Sequence, residues 1–267
     1  MKRWAFGLLL VAVLSWAAVA QDGMRTARLP DGHSGVKSKA AAALDRTAAS
    51  QKFAFVFFWK DQNPQTGRAW SVLQAAARNM SDSADVIPVQ ASDPSEKAVV
   101  ERFGTSRAPM PLVLAVAPCG AVTKAFTSAF DESQLRSALV SPGTQLCLKA
   151  LQDRKLVLLC VVDQAGPDGV EIPAAAREFK ADQRFGAASE IVLVSAGDEG
   201  EAGFLQELKV DSRVPTPFTV LLAPPGSVIG QFDSGASKDQ LLAKLAAAQS
   251  NPCAGGSCGP GGCGPRK

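Results

Sequence analysis

The chain has 267 residues, 46% of them hydrophobic, and 28 Lys and Arg against 25 Asp and Glu give a net charge of +3. Charges of both signs are interspersed without a basic run, which argues against nucleic acid or another strongly electrostatic partner. The one histidine, His33, lies in a polar, Gly-containing stretch near the N-terminus, so chemistry that needs an imidazole in a folded pocket has no candidate.

Residues 1–20 have the form of a signal peptide. Lys2 and Arg3 supply a basic start, the run from Phe6 to Val13 an apolar centre, and Ala18-Val19-Ala20 a small-residue cleavage site before Gln21. That apolar run is too short to span a bilayer comfortably, and no later run approaches transmembrane length. The expected mature chain, 21–267, has a net charge of +1 once Lys2 and Arg3 are removed and is long enough for two domains. It is expected to be exported, to a periplasm or as a secreted protein, where its six Cys can form disulfides. Residues 21–39 are polar and unpatterned and predict a disordered arm.

A first domain is expected over 40–141. Residues 40–50 are Ala-rich and helical in character, and 53–59 (FAFVFFW) form the continuous apolar run of a strand covered on both faces. Helical spacing over 69–80 puts Trp70, Leu73 and Ala77 on one side. A strand over 86–90 follows, then a helix over 94–103 with Asp93 as its N-cap. Strands over 112–117 and 122–126 flank the turn Pro118-Cys119-Gly120, and a helix runs from Asp131 to about Val140. Ser141-Pro142-Gly143 breaks the pattern and marks a boundary.

The same order recurs over 142–249. A helix through 147–152 precedes a buried strand over 156–162 (LVLLCVV), a helix over 173–179, a strand over 191–195 and a helix over 200–208. A hairpin across Pro225-Gly226 and a last helix over 238–249 complete the second domain. Two segments nearly repeat: RAPMPLVLAVAPCGAV from Arg107 and RVPTPFTVLLAPPGSV from Arg213, a period of 106 residues from 107 to 213. A period that long is a domain duplication rather than a solenoid, whose repeats run to about 50 residues. Strands alternating with helices imply an α/β fold, a mixed sheet with helices on both faces ended by an antiparallel hairpin.

That order, with Arg-x-Pro at the entrance to each hairpin, resembles the thioredoxin fold, in two tandem thioredoxin-like domains. The resemblance implies a cis-proline before the first hairpin strand, matched here to Pro109 and Pro215. The additional prolines two residues on, Pro111 and Pro217, depart from the family and remove an N–H inside the hairpin. The family's Phe-Trp approach to its Cys-Gly-Pro-Cys motif is matched by Phe58-Trp59, but Asn63 and Thr66 stand in the cysteine positions. In copy two, Ala165-Gly166-Pro167-Asp168 keeps the Gly-Pro and replaces both cysteines. Phe57 and Leu159 stand where the family's buried acid is expected. Thiol–disulfide exchange needs an attacking thiolate and a resolving thiol, and these side chains supply neither.

In this fold the turn holding Cys119 and the end of the last helix of copy one are both expected at the pole away from the cis-proline. That placement offers a Cys119–Cys147 disulfide, with two unpaired thiols as the alternative. Cys160 lies in an apolar strand and reads as a buried free thiol. The tail over 250–267 is rich in Gly and spaces Cys253, Cys258 and Cys263 as Cys-x4-Cys-x4-Cys. Such a composition predicts a disordered segment, and three thiols on it could hold Cu(I) or, with a fourth ligand, Zn(II), or form mixed disulfides.

The resemblance implies a non-enzymatic, redox-inactive protein that binds a protein or peptide partner. Asn63, Thr66, Ala108 and Pro109 in copy one, and Ala165, Asp168, Val214 and Pro215 in copy two, are the expected groove residues. The alternative is thiol or soft-metal handling by the tail.

Overall fold

The computed structural model describes residues 38–127, 129–163, 171–210 and 215–250. The expected signal peptide, all of the arm before Ser38, and the Cys/Gly tail after Ser250 lie outside the described residues. No helix among the described residues is long and apolar enough to cross a membrane.

The FAFVFFW run forms β1 (Phe53–Trp59), whose first six residues are buried. It is apolar throughout because both of its faces are covered. Phe53, Phe55 and Phe57 pack with Leu73 and Ala76 of α2 (Pro64–Arg78), while Ala54, Val56 and Phe58 pack with Ala40 and Leu44 of α1 (Lys39–Ala49). β1 pairs in parallel with β2 (Ala84–Gln90) and antiparallel with β3 (Leu112–Val116), which turns back into β4 (Val122–Phe126), giving the order β2-β1-β3-β4. A 3-10 turn at Pro94–Glu96 leads into α3 (Lys97–Arg102), and α4 (Glu132–Arg136) closes the copy.

The second copy repeats this plan. After α5 (Pro142–Gln152) come β5 (Leu156–Val162), α6 (Ala174–Lys180), β6 (Ser189–Ser195), α7 (Glu199–Glu207), β7 (Phe218–Ala223), β8 (Ser227–Phe232) and α8 (Lys238–Ser250). Its sheet order is β6-β5-β7-β8, with β5 parallel to β6 and antiparallel to β7.

The duplication reaches below the level of elements. Gln51 and Arg154 both adopt positive φ, 55° and 62°, directly after the first helix of each copy. Lys52 pairs with Asp85 as Lys155 pairs with Glu190. Each copy also uses one buried glutamate to cap its first helix. Glu96 accepts from the Ser38 hydroxyl and the Ala40 N–H, and Glu201 accepts from the Gly143 N–H at 2.8 Å and the Thr144 hydroxyl at 3.0 Å. The first-turn N–H groups of a helix have no intrahelical partner, so a carboxylate there satisfies them and meets the positive end of the helix dipole.

Several boundaries differ from the sequence expectation. α2 starts at Pro64 rather than Ala69, because Asn63 is an N-cap and proline suits the first helical position. Ser141-Pro142-Gly143, expected to break the pattern, opens α5, the first helix of the second copy, with Pro142 at its first position. α4 ends at Arg136. The cis bond at the first hairpin entrance precedes Pro111, not Pro109, and the second copy has one before Pro217, with a third between Pro224 and Pro225; the Val214–Pro215 bond lies outside the described residues. The family's cis-proline immediately precedes the hairpin strand, and the strands begin at Leu112 and Phe218, one residue after Pro111 and Pro217. In the first copy the Arg-x-Pro spacing points to Pro109, whereas the cis-proline is Pro111.

α5 also binds the copies together. The Val122 N–H donates to Gln152 Oε1 at 2.9 Å, and Gln152 Nε2 donates to the Val122 carbonyl at 2.7 Å. One amide side chain thereby satisfies both backbone groups of a residue on β4, the edge strand of the first sheet.

Candidate functional site at the start of α2

The positions of the family's two cysteines are occupied in copy one by a helix cap. Asn63 Oδ1 accepts from the Thr66 N–H at 2.9 Å, and the Thr66 hydroxyl donates to the Asp61 carbonyl at 3.0 Å. Thr66 is buried while Asn63 is exposed. Both side chains fix the start of α2, and neither offers a thiol.

Two cavities flank that helix start. One, of about 300 Å³, lies between α2 and the sheet edge, walled by Phe57, Trp59, Trp70 and Pro88, with Gln62, Asn63, Thr66 and Gly67 completing it. Phe57 and Trp70 hold one another, ring centroids 5.2 Å apart. Pro88 sits opposite Phe57 in the β1–β2 register, on an edge strand, where the missing N–H costs no ladder bond inside the sheet. The other, of about 410 Å³, lies on the opposite flank, between Gln65, Arg68, Ala69 and Val72 of α2 and Pro111, Ala129 and Phe130.

The expected groove residues separate in the structure. Asn63 and Thr66 come together at the cap. Ala108 packs against the cluster on the α1 face of the sheet, not with α2, and Pro109 is exposed. Pro111, read from sequence as a departure, is the proline facing α2. In copy two Ala165, Asp168 and Val214 lie outside the described residues, and Pro215 is exposed ahead of Pro217. The β-register equates Phe53 with Leu156, each the first residue of its strand, and therefore Phe57 with Cys160 rather than Leu159. Leu159 faces the other core, with α5. The copies differ by one residue just after this strand, which accounts for the offset between Leu159 and Cys160. Trp70, whose spacing with Leu73 predicts a core face, is only half-buried and lines the cavity. Nothing in the local sequence pairs it with Pro88.

Cys119 and Cys147 are both free thiols, which corrects the expected disulfide. They lie on different sides of α5. Cys147 is buried in the core of copy two, whereas Cys119 packs against that of copy one, its Sγ 3.6 Å from the Gln145 carbonyl. Burial pushes the Cys147 thiol up to about 12, and the nearby Glu201 carboxylate adds to the effect. Burial likewise raises Cys160 to about 11, against a weak Thr219 hydrogen bond that lowers it.

Both folded values lie above the ordinary 9.0, so the neutral thiols favour the fold below pH 9 and that contribution is lost as the pH rises toward 11–12. Iodoacetamide at pH 8 should therefore leave Cys147 and Cys160 unmodified in the native protein and label both in denaturant. Rapid native labelling of either, read by peptide mass, would contradict this burial. Cys253, Cys258 and Cys263 lie outside the described residues, and among the described residues no group of three or more metal-ligating side chains occurs.

No protein-family model and no curated protein sequence matches the chain. Among solved structures, thioredoxin O2 from Arabidopsis thaliana in its oxidised state is 10% identical, covering 39% of this chain and 86% of its own, with a TM-score of 0.32. The first two thioredoxin domains of Naumovozyma dairenensis Eps1p are 11% identical over 80% of this chain and 96% of theirs, with a TM-score of 0.30. The NTD_N/C domain of the alkylhydroperoxide reductase AhpF from Enterococcus faecalis is 16% identical over 77% and 96%, with a TM-score of 0.29. On its own sheet order and helix placement, the described chain builds two tandem domains of thioredoxin-like fold.

Proposed function

We propose that this is an exported, redox-inactive thioredoxin-fold protein that binds an extended polypeptide along α2 and Pro111 of its first copy. The observation that carries the reading is the conversion of the Asn63/Thr66 positions into a helix cap beside an open, largely apolar cavity. A cleft with apolar walls and one charge, Arg68, suits a peptide whose side chains enter it while its backbone passes the hairpin entrance. Two of the three thiols among the described residues support redox inactivity, since Cys147 and Cys160 are buried and held protonated.

The test is binding of unstructured 15-residue peptides to the full chain, followed by fluorescence anisotropy. Val72, 39% exposed on the cleft wall, is the informative position, and Val72→Lys should weaken binding about tenfold or more. Serine at Cys253, Cys258 and Cys263 should leave both peptide binding and the rate of insulin reduction by dithiothreitol unchanged. Loss of binding in that serine variant would transfer the function to the tail, and clear catalysis of insulin reduction by it would refute redox inactivity.

A further inference from the structure

Resting on the peptide-binding reading above, we infer that the cavity between Trp59, Trp70 and Pro88 receives a neutral aromatic side chain of the bound polypeptide. Its volume, about 300 Å³, stands at the lower end of the roughly 300–1,000 Å³ that ligand sites occupy, room for one ring rather than a large ligand. None of its lining residues is charged. Two of its polar side chains are engaged with the chain itself, Asn63 with the Thr66 N–H and Thr66 with the Asp61 carbonyl. An ionic group entering it would lose its hydration without a partner, whereas a ring would gain aromatic and apolar contact.

The duplication supplies an internal control. Copy two builds the same sheet with Cys160 and Val162 at the places of Phe57 and Trp59, so the fold does not require an aromatic frame there. Gly67 points the same way. It lies inside α2 without a positive φ, and a Cβ built on it meets nothing within 4 Å. Glycine is among the poorest helix residues, and neither backbone conformation nor packing calls for it at this position. What its missing side chain leaves open is the cavity that it lines. The cavity also shares α2 with the peptide cleft, Gly67 and Trp70 on one flank and Arg68 and Ala69 on the other, so one chain passing the helix start can reach both.

The experiment titrates the full chain with N-acetyl-phenylalaninamide, N-acetyl-leucinamide and N-acetyl-lysinamide and follows the indole N–H resonances, assigned through Trp59→Phe and Trp70→Phe. The phenylalanine amide should shift both resonances saturably, at least tenfold more tightly than the lysine amide. Gly67→Leu should keep or raise the melting temperature, leucine being a good helix former, and should weaken aromatic binding at least tenfold. Absence of a saturable shift with the unmodified protein overturns the inference, and so does undiminished binding by folded Gly67→Leu. If peptides bind the cleft equally well after their aromatic residues are changed to alanine, the inference fails and the peptide reading stands. If the aromatic amide binds and no peptide does, the peptide reading fails and, with it, the partner side chain as occupant.

Discussion

Phe58→Ala should lower the stability of the protein by about 3–5 kcal/mol, the range for emptying an aromatic site in a packed core. Phe58 is fully buried, lies between Val89 and Leu112 on the neighbouring strands, and meets Phe103 edge-on at 6.1 Å between centroids. Those neighbours belong to sheet and helix backbone that cannot collapse into the void, so the cost should fall toward the upper end. Its counterpart in copy two by strand register is Val161, and Val161→Ala removes fewer atoms and should cost clearly less. Urea denaturation of both variants decides the matter. Equal losses would mean that the cavity in copy one relaxes.

Gly143→Ala is expected to be nearly as damaging, about 3 kcal/mol, for a different reason. A Cβ at that position would sit 2.4 Å from Glu201 Oε1 and 2.5 Å from Val194 Cγ1. Overpacking alone costs about 1–3 kcal/mol. The carboxylate, only 3% exposed, would also be pushed from the N–H and hydroxyl that satisfy it. The double variant Gly143→Ala/Glu201→Ala should lose less than the sum of the two single losses, because each single change breaks the same contact and the double change removes the clash with the carboxylate, leaving only that with Val194. Strict additivity in a thermodynamic cycle would show that Gly143 and Glu201 act independently.

The strands were the most legible part of the sequence. β1 and β5 match the expected ranges residue for residue, because a strand covered on both faces must be apolar at every position, and the half-exposed edge strand β4 also matches its expected range. Helix starts were less legible where a cap preceded the apolar spacing, as at Asn63 and Ser141, since capping residues resemble loop residues when no partner is in view. The candidate site was legible only in what it lacks. Asn63 and Thr66 announce the loss of the thiols, but the cavity beside them depends on Pro88 being set against Phe57 by a parallel pairing between strands far apart in sequence. The cis-proline of the first copy was misplaced because two prolines stand two residues apart, and only the first residue of β3 separates their roles. The Glu96 and Glu201 caps were invisible for a similar reason, as each joins residues more than fifty positions apart.

α5 is gripped at both ends by side chains from elsewhere. Glu201 holds its first turn within copy two, and its own Gln152 holds the edge strand of copy one. Only residues 137–141 separate it from α4, and within them Val140 gives its carbonyl to Gln145. The link between the copies is therefore short and itself hydrogen-bonded to α5. One helix thus carries contacts to both copies, so a change that unseats α5 should be felt in each of them.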